Sequence, residues 1–112
     1  VAAELGLVNH EAIAAAKAGL AGLMRAAAAT YADKGLRLNA IAPALTATPL
    51  TAGFLASPAA REQLAARHPL GRIGTPDDQA AAIAWLLSAE SSWVTGQVLG
   101  VDGGMGTLRP QR

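Results

Sequence analysis

A stripe of apolar side chains along the alanine-rich stretch 9–34 constrains the fold of this 112-residue chain most strongly. Its members are Ile13, Leu20, Met24, Ala27 and Tyr31. Their spacing puts them on one face of an α-helix, for which Asn9 is the expected N-cap and Gly35 the expected residue just beyond the end. Gly19 and Gly22 each lower helix propensity by ~1 kcal/mol relative to alanine, so we expect close packing of the helix there, against a sheet or a second helix.

Shorter elements of alternating type follow this helix. Pro43 cannot donate to a sheet ladder and ends the first apolar run. Ser57–Pro58 and Thr75–Pro76 each combine an N-cap residue with a proline at the first helical position. The predicted elements are buried strands at 36–42 and 97–101, helices from 58 to about 67 and from 76 to about 88, and a surface loop at 44–54.

The order helix, strand, helices, strand predicts an α/β fold with a parallel sheet. Two parallel strands are too few, because such a pair must be covered on both faces and would leave strand edges and apolar surfaces open. We therefore expect residues 1–112 to be the C-terminal half of a doubly wound domain, with two strands and about three helices. The sequence opens on Val1 rather than Met, so we expect a fragment of a longer polypeptide.

Composition excludes several classes of function. The net charge of +1 comes from scattered residues and forms no basic stripe, so a nucleic-acid partner is not expected. The chain has no cysteine, which excludes thiolate metal sites and fits a cytoplasmic location, and the sequence predicts no metal site. No apolar run reaches the ~20 residues of a membrane helix, and no secretory signal is visible.

Five collinear segments resemble the classical short-chain dehydrogenases/reductases. The first contains the motif Ile13-Ala-Ala-Ala-Lys17. The five segments are 13–20, 35–43, 46–49, 74–78 and 94–104. The resemblance covers nearly the whole chain and implies a Rossmann-type doubly wound sheet, of which this chain holds the last two strands. By the same match, the glycine-rich cofactor turn and the catalytic serine lie outside these residues.

The resemblance also implies a cofactor site for NAD or NADP. Lys17 matches the lysine that hydrogen-bonds the nicotinamide ribose and favours the ionised form of the catalytic tyrosine. Pro43, Ala44, Thr46 and Thr48 match the loop over the nicotinamide. Thr48 is the expected contact to the carboxamide or to a phosphate oxygen. The implied activity is hydride transfer between the cofactor and a small-molecule carbonyl or alcohol.

Ile13 stands at the position that the resemblance assigns to the catalytic tyrosine. An aliphatic side chain can neither donate nor accept a proton, so the usual acid of the reaction is missing. His10 is the local substitute on nearly the same helix face, ~10 Å from Lys17 along the axis at 1.5 Å per residue. A surface or helix-cap histidine is the simpler interpretation of this residue.

Two hypotheses therefore stay open for the longer polypeptide. One is an oxidoreductase with a proton donor other than tyrosine, and the other is a non-catalytic module for nucleotide binding or oligomerisation. We expect no catalysis from the isolated 112-residue chain. A homo-oligomer is expected, because related proteins pair through this long helix and Gly19 and Gly22 suit close helix contact.

Overall fold

A computed structural model describes residues 6–111 and shows an α/β fold. Within these residues, two strands form a parallel pair and three α-helices accompany it. The elements are α1 (Glu11–Tyr31), β1 (Ala40–Pro43), α2 (Pro58–Ala66), α3 (Pro76–Leu87) and β2 (Val98–Val101), with 3-10 helices at Ala32–Lys34, Pro49–Thr51 and Ala89–Ser91. The predicted fold class, with two parallel strands and three helices, is confirmed.

The parallel register brings the carboxyl ends of both strands to one edge of the sheet. Ala40 lies opposite Val98, and Pro43 lies opposite Val101. The loop that follows β1 and the segment that leads into α3 meet at this edge, through a parallel bridge between Thr46 and Gly74. Loops at the carboxyl ends of parallel strands are where ligands bind in open α/β sheets.

Helix α1 begins one residue later than an Asn9 cap would require. Asn9 has φ of 60°, a left-handed conformation that asparagine tolerates, and His10 is the N-cap residue. The prediction of Asn9 as the cap was therefore wrong, because the first helical hydrogen bond, from Ala14 N at 2.7 Å, goes to His10 O. At the other end Gly35, with φ of 74°, ends the helical segment as predicted, and its N–H donates to Ala32 O at 3.1 Å.

The starts of α2 and α3 agree with the prediction from their caps. Ser57 Oγ accepts from Ala60 N at 3.1 Å, and Thr75 Oγ1 accepts from Asp78 N at 3.3 Å. The loop between β1 and α2 is more ordered than its composition predicts. It contains the 3-10 turn Pro49–Thr51, closed by reciprocal capping between Thr48 and Thr51.

Strand β1 is shorter than the predicted strand at 36–42. Leu38 N donates to the side chain of Thr95 at 3.2 Å, outside the regular ladder. The Asn39 amide then bridges the same segment, donating to Val94 O and accepting from Gln97 N, each at 3.0 Å. Ahead of Ala40 these side-chain bonds accompany one backbone bond, from Gly96 N to Leu38 O at 2.7 Å, and the regular ladder begins only at Ala40.

The buried core is small in this chain. Met24 and Ala28 of α1 and Ile73 are its buried apolar residues among those described. Both strands are at most half-buried, so the prediction of buried strands was wrong for these residues. Leu20 and Leu23 of α1 are 63% and 66% exposed. This exposure agrees with the expectation that two strands alone leave apolar surfaces uncovered.

The two glycines of α1 lie in open space. A Cβ placed on Gly19 or Gly22 would meet no heavy atom within 4 Å. The close packing expected at these positions therefore does not occur within residues 6–111. Any partner for this face of α1 must come from outside them.

Helix α1 with its 3-10 extension, Glu11–Lys34, is long and apolar enough to cross a membrane by length and composition alone. The prediction that no such stretch exists was wrong by this measure. Interspersed alanines keep the segment apolar without an unbroken run of large side chains. Length and composition do not distinguish a membrane helix from a helix that packs inside a domain.

Candidate functional site

The candidate site is the loop after β1, which its own threonines hold in shape. Thr51 Oγ1 donates to Thr46 O at 2.7 Å and accepts from Thr48 N at 3.0 Å. The hydroxyls of Thr48 and Thr51 lie 3.3 Å apart. A hydroxyl has one hydrogen, and that of Thr51 is directed to Thr46 O, so Thr48 is the donor between the two. The Thr48 oxygen also accepts from the Thr51 backbone N–H in the reciprocal cap, so one of its two lone pairs is left for a ligand N–H.

The segment before α3 supports the loop from behind. Ala47 N donates to Gly74 O at 2.9 Å, and Gly74 N donates to Leu45 O at 3.0 Å. A Cβ on Gly74 would lie 3.3 Å from both Leu45 O and Thr46 Oγ1, tighter than most real Cβ contacts. The absence of a side chain at Gly74 therefore lets the two backbones approach closely enough to pair.

The amide of Gln79 on α3 connects this loop with the end of β2. Its Nε2 donates to Val101 O at 3.0 Å and lies 3.4 Å from Thr46 Oγ1. Sequence analysis missed Gln79. Its register was the available signal, because it shares a helix face with Ala82 and Leu86, which are part-buried, and a polar residue on an inward face needs partners.

An ion pair fixes the start of α3 beside the loop. Arg72 Nη1 and Nη2 donate to the two carboxylate oxygens of Asp78 at 2.7 and 2.9 Å. Asp78 Oδ2 also accepts from Thr75 N at 2.7 Å. The hydrogen bond from Arg72 first, and that from Thr75 second, hold the pKa of the Asp78 carboxyl far below its ordinary value of 3.8. Asp78 is therefore a fixed carboxylate and unsuited to proton transfer near neutral pH.

The other predicted site residues lie on α1. Lys17 is exposed and has no ion pair among the described residues, and Ile13, one turn before it, is 48% exposed. The imidazole of His10 lies with Nδ1 2.7 Å from Val8 O. A carbonyl oxygen can only accept, so Nδ1 carries the hydrogen and Nε2 is the free nitrogen of the neutral ring.

Pro43, Ala44, Thr46 and Thr48 lie together on one loop, as predicted. No hydrogen bond or ion pair within residues 6–111 connects that loop with Lys17 or His10. The same residues contain no cluster of three or more histidine, aspartate or glutamate side chains that could hold a metal ion. The site as described therefore has two separate parts, a fixed loop and an exposed helix face.

A groove of about 390 Å3 opens beside this loop. It is lined by Ala47, Thr48, Pro49, Ala52, Leu55 and Arg61. Its walls are mostly apolar, with the Thr48 hydroxyl and one guanidinium as the side-chain polar groups. The groove is shallow and open to solvent, so these residues form one wall of a ligand site and do not enclose it.

Comparisons with known proteins agree with this geometry. A family described as enoyl-(acyl carrier protein) reductase matches residues 1–106, a range that includes all of α1. Cis-4-hydroxycyclohexanecarboxylate dehydrogenase of Sinomonas cyclohexanicum is 49% identical over 100 residues, covering 89% of this chain and 39% of the relative. The chain thus spans about two fifths of the length of that relative.

Two solved structures carry the same fold. A proposed 2-deoxy-D-gluconate 3-dehydrogenase from Agrobacterium tumefaciens, with bound NADP, superposes with a TM-score of 0.78 at 40% identity, covering 85% of this chain and 39% of that one. A short-chain type dehydrogenase/reductase from Mycobacterium ulcerans superposes with a TM-score of 0.84 at 36% identity, covering 93% and 38%.

The neighbour with bound NADP supports NAD or NADP as the cofactor by resemblance. The match of α1 within a Rossmann-type domain favours a helix of that domain over a membrane span. With the family match over residues 1–106 and the parallel pair with its carboxyl-edge loop, the chain belongs to the short-chain dehydrogenase/reductase family.

Proposed function

We propose that this chain forms the C-terminal part of a cytoplasmic NAD(P)-dependent oxidoreductase acting on a small carbonyl or alcohol. The observation that carries the proposal is the loop after β1. It is fixed at the carboxyl edge of the sheet by Thr51, Gly74 and Gln79 in a chain whose family neighbour holds NADP. The substrate of the 49% identical relative carries its hydroxyl on a six-membered carbon ring, so a secondary alcohol or ketone of that size is the first to test.

In this proposal the residues of the chain divide the work of binding the cofactor. The cofactor supplies or accepts the hydride. Thr48 accepts a hydrogen bond from the nicotinamide carboxamide, which its remaining lone pair permits. The exposed ammonium of Lys17 donates to the ribose hydroxyls, and Pro43 to Thr46 form the wall over the ring.

The proton needs a separate source, because reduction of a carbonyl adds hydride to carbon and a proton to oxygen. The Ile13 side chain has no exchangeable hydrogen, and we propose that it replaces the tyrosine of the family. His10 is the candidate donor, since its imidazolium form can release a proton from Nε2 while Nδ1–H stays bound to Val8 O.

The test compares the 112-residue chain with the complete reading frame that contains it. We expect the absorbance of NAD(P)H to fall with cyclohexanone only for the complete protein. In that protein His10→Ala should abolish turnover and leave NAD(P)H affinity unchanged. Lys17→Ala should weaken NAD(P)H binding about tenfold, as loss of a charged hydrogen bond does. Lys34→Ala, another exposed lysine near the end of the same helical segment, is the matched control.

A non-catalytic module is the second candidate, and Ile13 is the residue that favours it. If it is correct, the complete protein binds NAD(P)H with a Lys17-dependent affinity but transfers no hydride to any carbonyl tested. Turnover by the isolated 112-residue chain would contradict both candidates, since neither assigns a complete site to these residues.

We also propose a homo-oligomer that pairs through α1. The open face of the helix carries Leu20 and Leu23 beside Gly19 and Gly22. Sedimentation of the complete protein should show a dimer or larger species that Gly22→Leu dissociates. Arg25→Met leaves these four residues unchanged and should leave the assembly intact.

A further inference from the structure

The groove beside the loop after β1 has one charged lining residue. Its apolar lining consists of Ala47, Pro49, Ala52 and Leu55, and its one hydroxyl is that of Thr48, the proposed nicotinamide contact. Arg61 supplies the only guanidinium on the wall. A small apolar molecule placed here would meet a hydroxyl and a cation at separate points of the groove.

Arg61 is held in position by its backbone, and its side chain is free to bind. It lies in the first turns of α2, where its N–H donates to Ser57 O at 3.0 Å and Ser57 caps the helix. Within residues 6–111 the guanidinium makes no ion pair and no hydrogen bond. The backbone of Arg61 is therefore fixed by the capped helix, while the five N–H donors of its guanidinium have no acceptor within residues 6–111.

The neighbouring charges do not neutralise Arg61 on the side of this groove. A second groove of about 370 Å3, which Arg61 also borders, is lined by Glu62 and Arg72 as well. Arg72 is already bonded to both oxygens of Asp78. Glu62 does not line the groove next to Thr48. Arg61 is thus the cation available to an anion that enters beside the loop.

We infer that Arg61 binds the carboxylate of the substrate, which makes small apolar hydroxy or oxo carboxylic acids the substrate class. Both carboxylate oxygens accept hydrogen bonds from the guanidinium, the carbon skeleton lies against Ala52 and Leu55, and the reacting carbon–oxygen group faces the nicotinamide that Thr48 holds. A guanidinium matches a carboxylate in a two-bond geometry that fixes orientation as well as affinity. The inference rests on the proposed function for the reaction, but the anion-binding role of Arg61 can be measured without turnover.

The kinetic experiment uses the complete protein and a substrate pair that differs only in charge. Oxocyclohexanecarboxylate and its methyl ester are reduced with NAD(P)H by the wild type, Arg61→Met, Arg61→Lys and Arg67→Met. Arg67 is the exposed arginine at the other end of α2 and borders neither groove, so it is a matched control for net charge. We expect Arg61→Met to lower kcat/KM for the acid about ten- to a hundredfold, the effect of a lost charged pair, and to leave that for the ester within about twofold.

Arg61→Lys should lower kcat/KM for the acid less than Arg61→Met does, because lysine keeps the positive charge but lacks the two parallel N–H donors of a guanidinium. Arg67→Met should change kcat/KM for neither the acid nor the ester. An equal loss for acid and ester, or no loss for either, would overturn the inference while the proposed function stands. A loss of NADP(H) affinity in Arg61→Met with an unchanged ratio of acid to ester would also overturn it, since the anion would then be the cofactor phosphate.

A binding measurement separates this inference from the proposed reaction. Cyclohexanecarboxylate has no group to oxidise or reduce, and its affinity is measured by calorimetry in the presence of NADP. If no substrate is turned over but this affinity falls about tenfold in Arg61→Met and not in Arg67→Met, the anion site stands and hydride transfer does not. If the two variants bind the probe equally, Arg61 is not the carboxylate-binding residue.

Discussion

Arg37 offers a direct test of how this chain is held together. Its Nη1 donates to Val94 O at 2.9 Å, and its Nη2 donates to Leu86 O at 3.0 Å and Ser88 O at 3.2 Å. The guanidinium therefore connects the segment before β1 with the last carbonyls of α3 and the turn before β2. A cation at the C-terminal end of a helix also meets the negative end of its dipole.

The expected cost of Arg37→Met follows from these contacts. A hydrogen bond that involves a charged group contributes roughly 1.5–3 kcal/mol, and the part-buried site points to the lower end of that range. The three carbonyls share one group and regain some water when it is lost, so the contributions do not add in full. We expect Arg37→Met to lower the free energy of unfolding by about 3 kcal/mol, and Arg37→Lys by about 2 kcal/mol.

Urea denaturation of the complete protein, followed by circular dichroism, measures both values. Arg25→Met is the matched control, because Arg25 is exposed on α1 and its side chain has no hydrogen bond among the described residues. The control should change stability by less than about 0.5 kcal/mol. A loss below about 1 kcal/mol in Arg37→Met, or one equal to the control, would refute the reasoning, provided that the dependence on urea is unchanged.

Three further predictions concern the site and its surroundings. The pKa of Asp78 is lowered in the folded state, so its ion pair with Arg72 stabilises the fold above about pH 4, and this contribution is lost as the pH falls further. The difference in Tm between the wild type and Asp78→Asn should therefore shrink on acidification below about pH 4. A difference that stays constant would contradict this prediction. Gly74→Ala should cost about 1–3 kcal/mol in thermal unfolding and weaken NAD(P)H binding, because its Cβ crowds Leu45 O and Thr46 Oγ1, whereas Gly53→Ala has open space and should do neither. Asp102 accepts from Gly104 N at 2.9 Å and Gly106 N at 3.0 Å, so Asp102→Ala should speed hydrogen exchange at those two amides and not at Gly35.

The parts of the fold that sequence could predict are those set by neighbouring residues. Ser57–Pro58 and Thr75–Pro76 place a cap and a proline side by side, and both helices begin where these pairs indicate. The length of β1 could not be predicted from neighbouring residues. The bonds that Asn39 makes join it to residues 55 and 58 positions later, and no local pattern reports them.

The same division holds at the site. The loop from Pro43 to Thr48 was located through the resemblance, but its support was not. Gln79 lies 33 positions from Thr46, and the Gly74 backbone pairs with a segment that composition described only as a surface loop. Arg61 borders the groove only because the 3-10 turn Pro49–Thr51 and α2 bring it there, and the turn itself was not predicted.

The loop that we assign to the cofactor is held independently of the helix that we assign to the proton. Its hydrogen bonds run to Thr51, Gly74 and Gln79, and none of those within residues 6–111 comes from α1. A change of side chain at position 13 therefore has no direct route by which to disturb the cofactor loop. The proposed loss of a tyrosine at Ile13 would remove the proton donor and leave the loop geometry intact. In the proposed function the contribution of the loop to cofactor binding is therefore separable from hydride transfer, whereas Lys17, which binds the ribose, shares α1 with Ile13. Binding of NAD(P)H alone would thus say nothing about whether the protein is an enzyme.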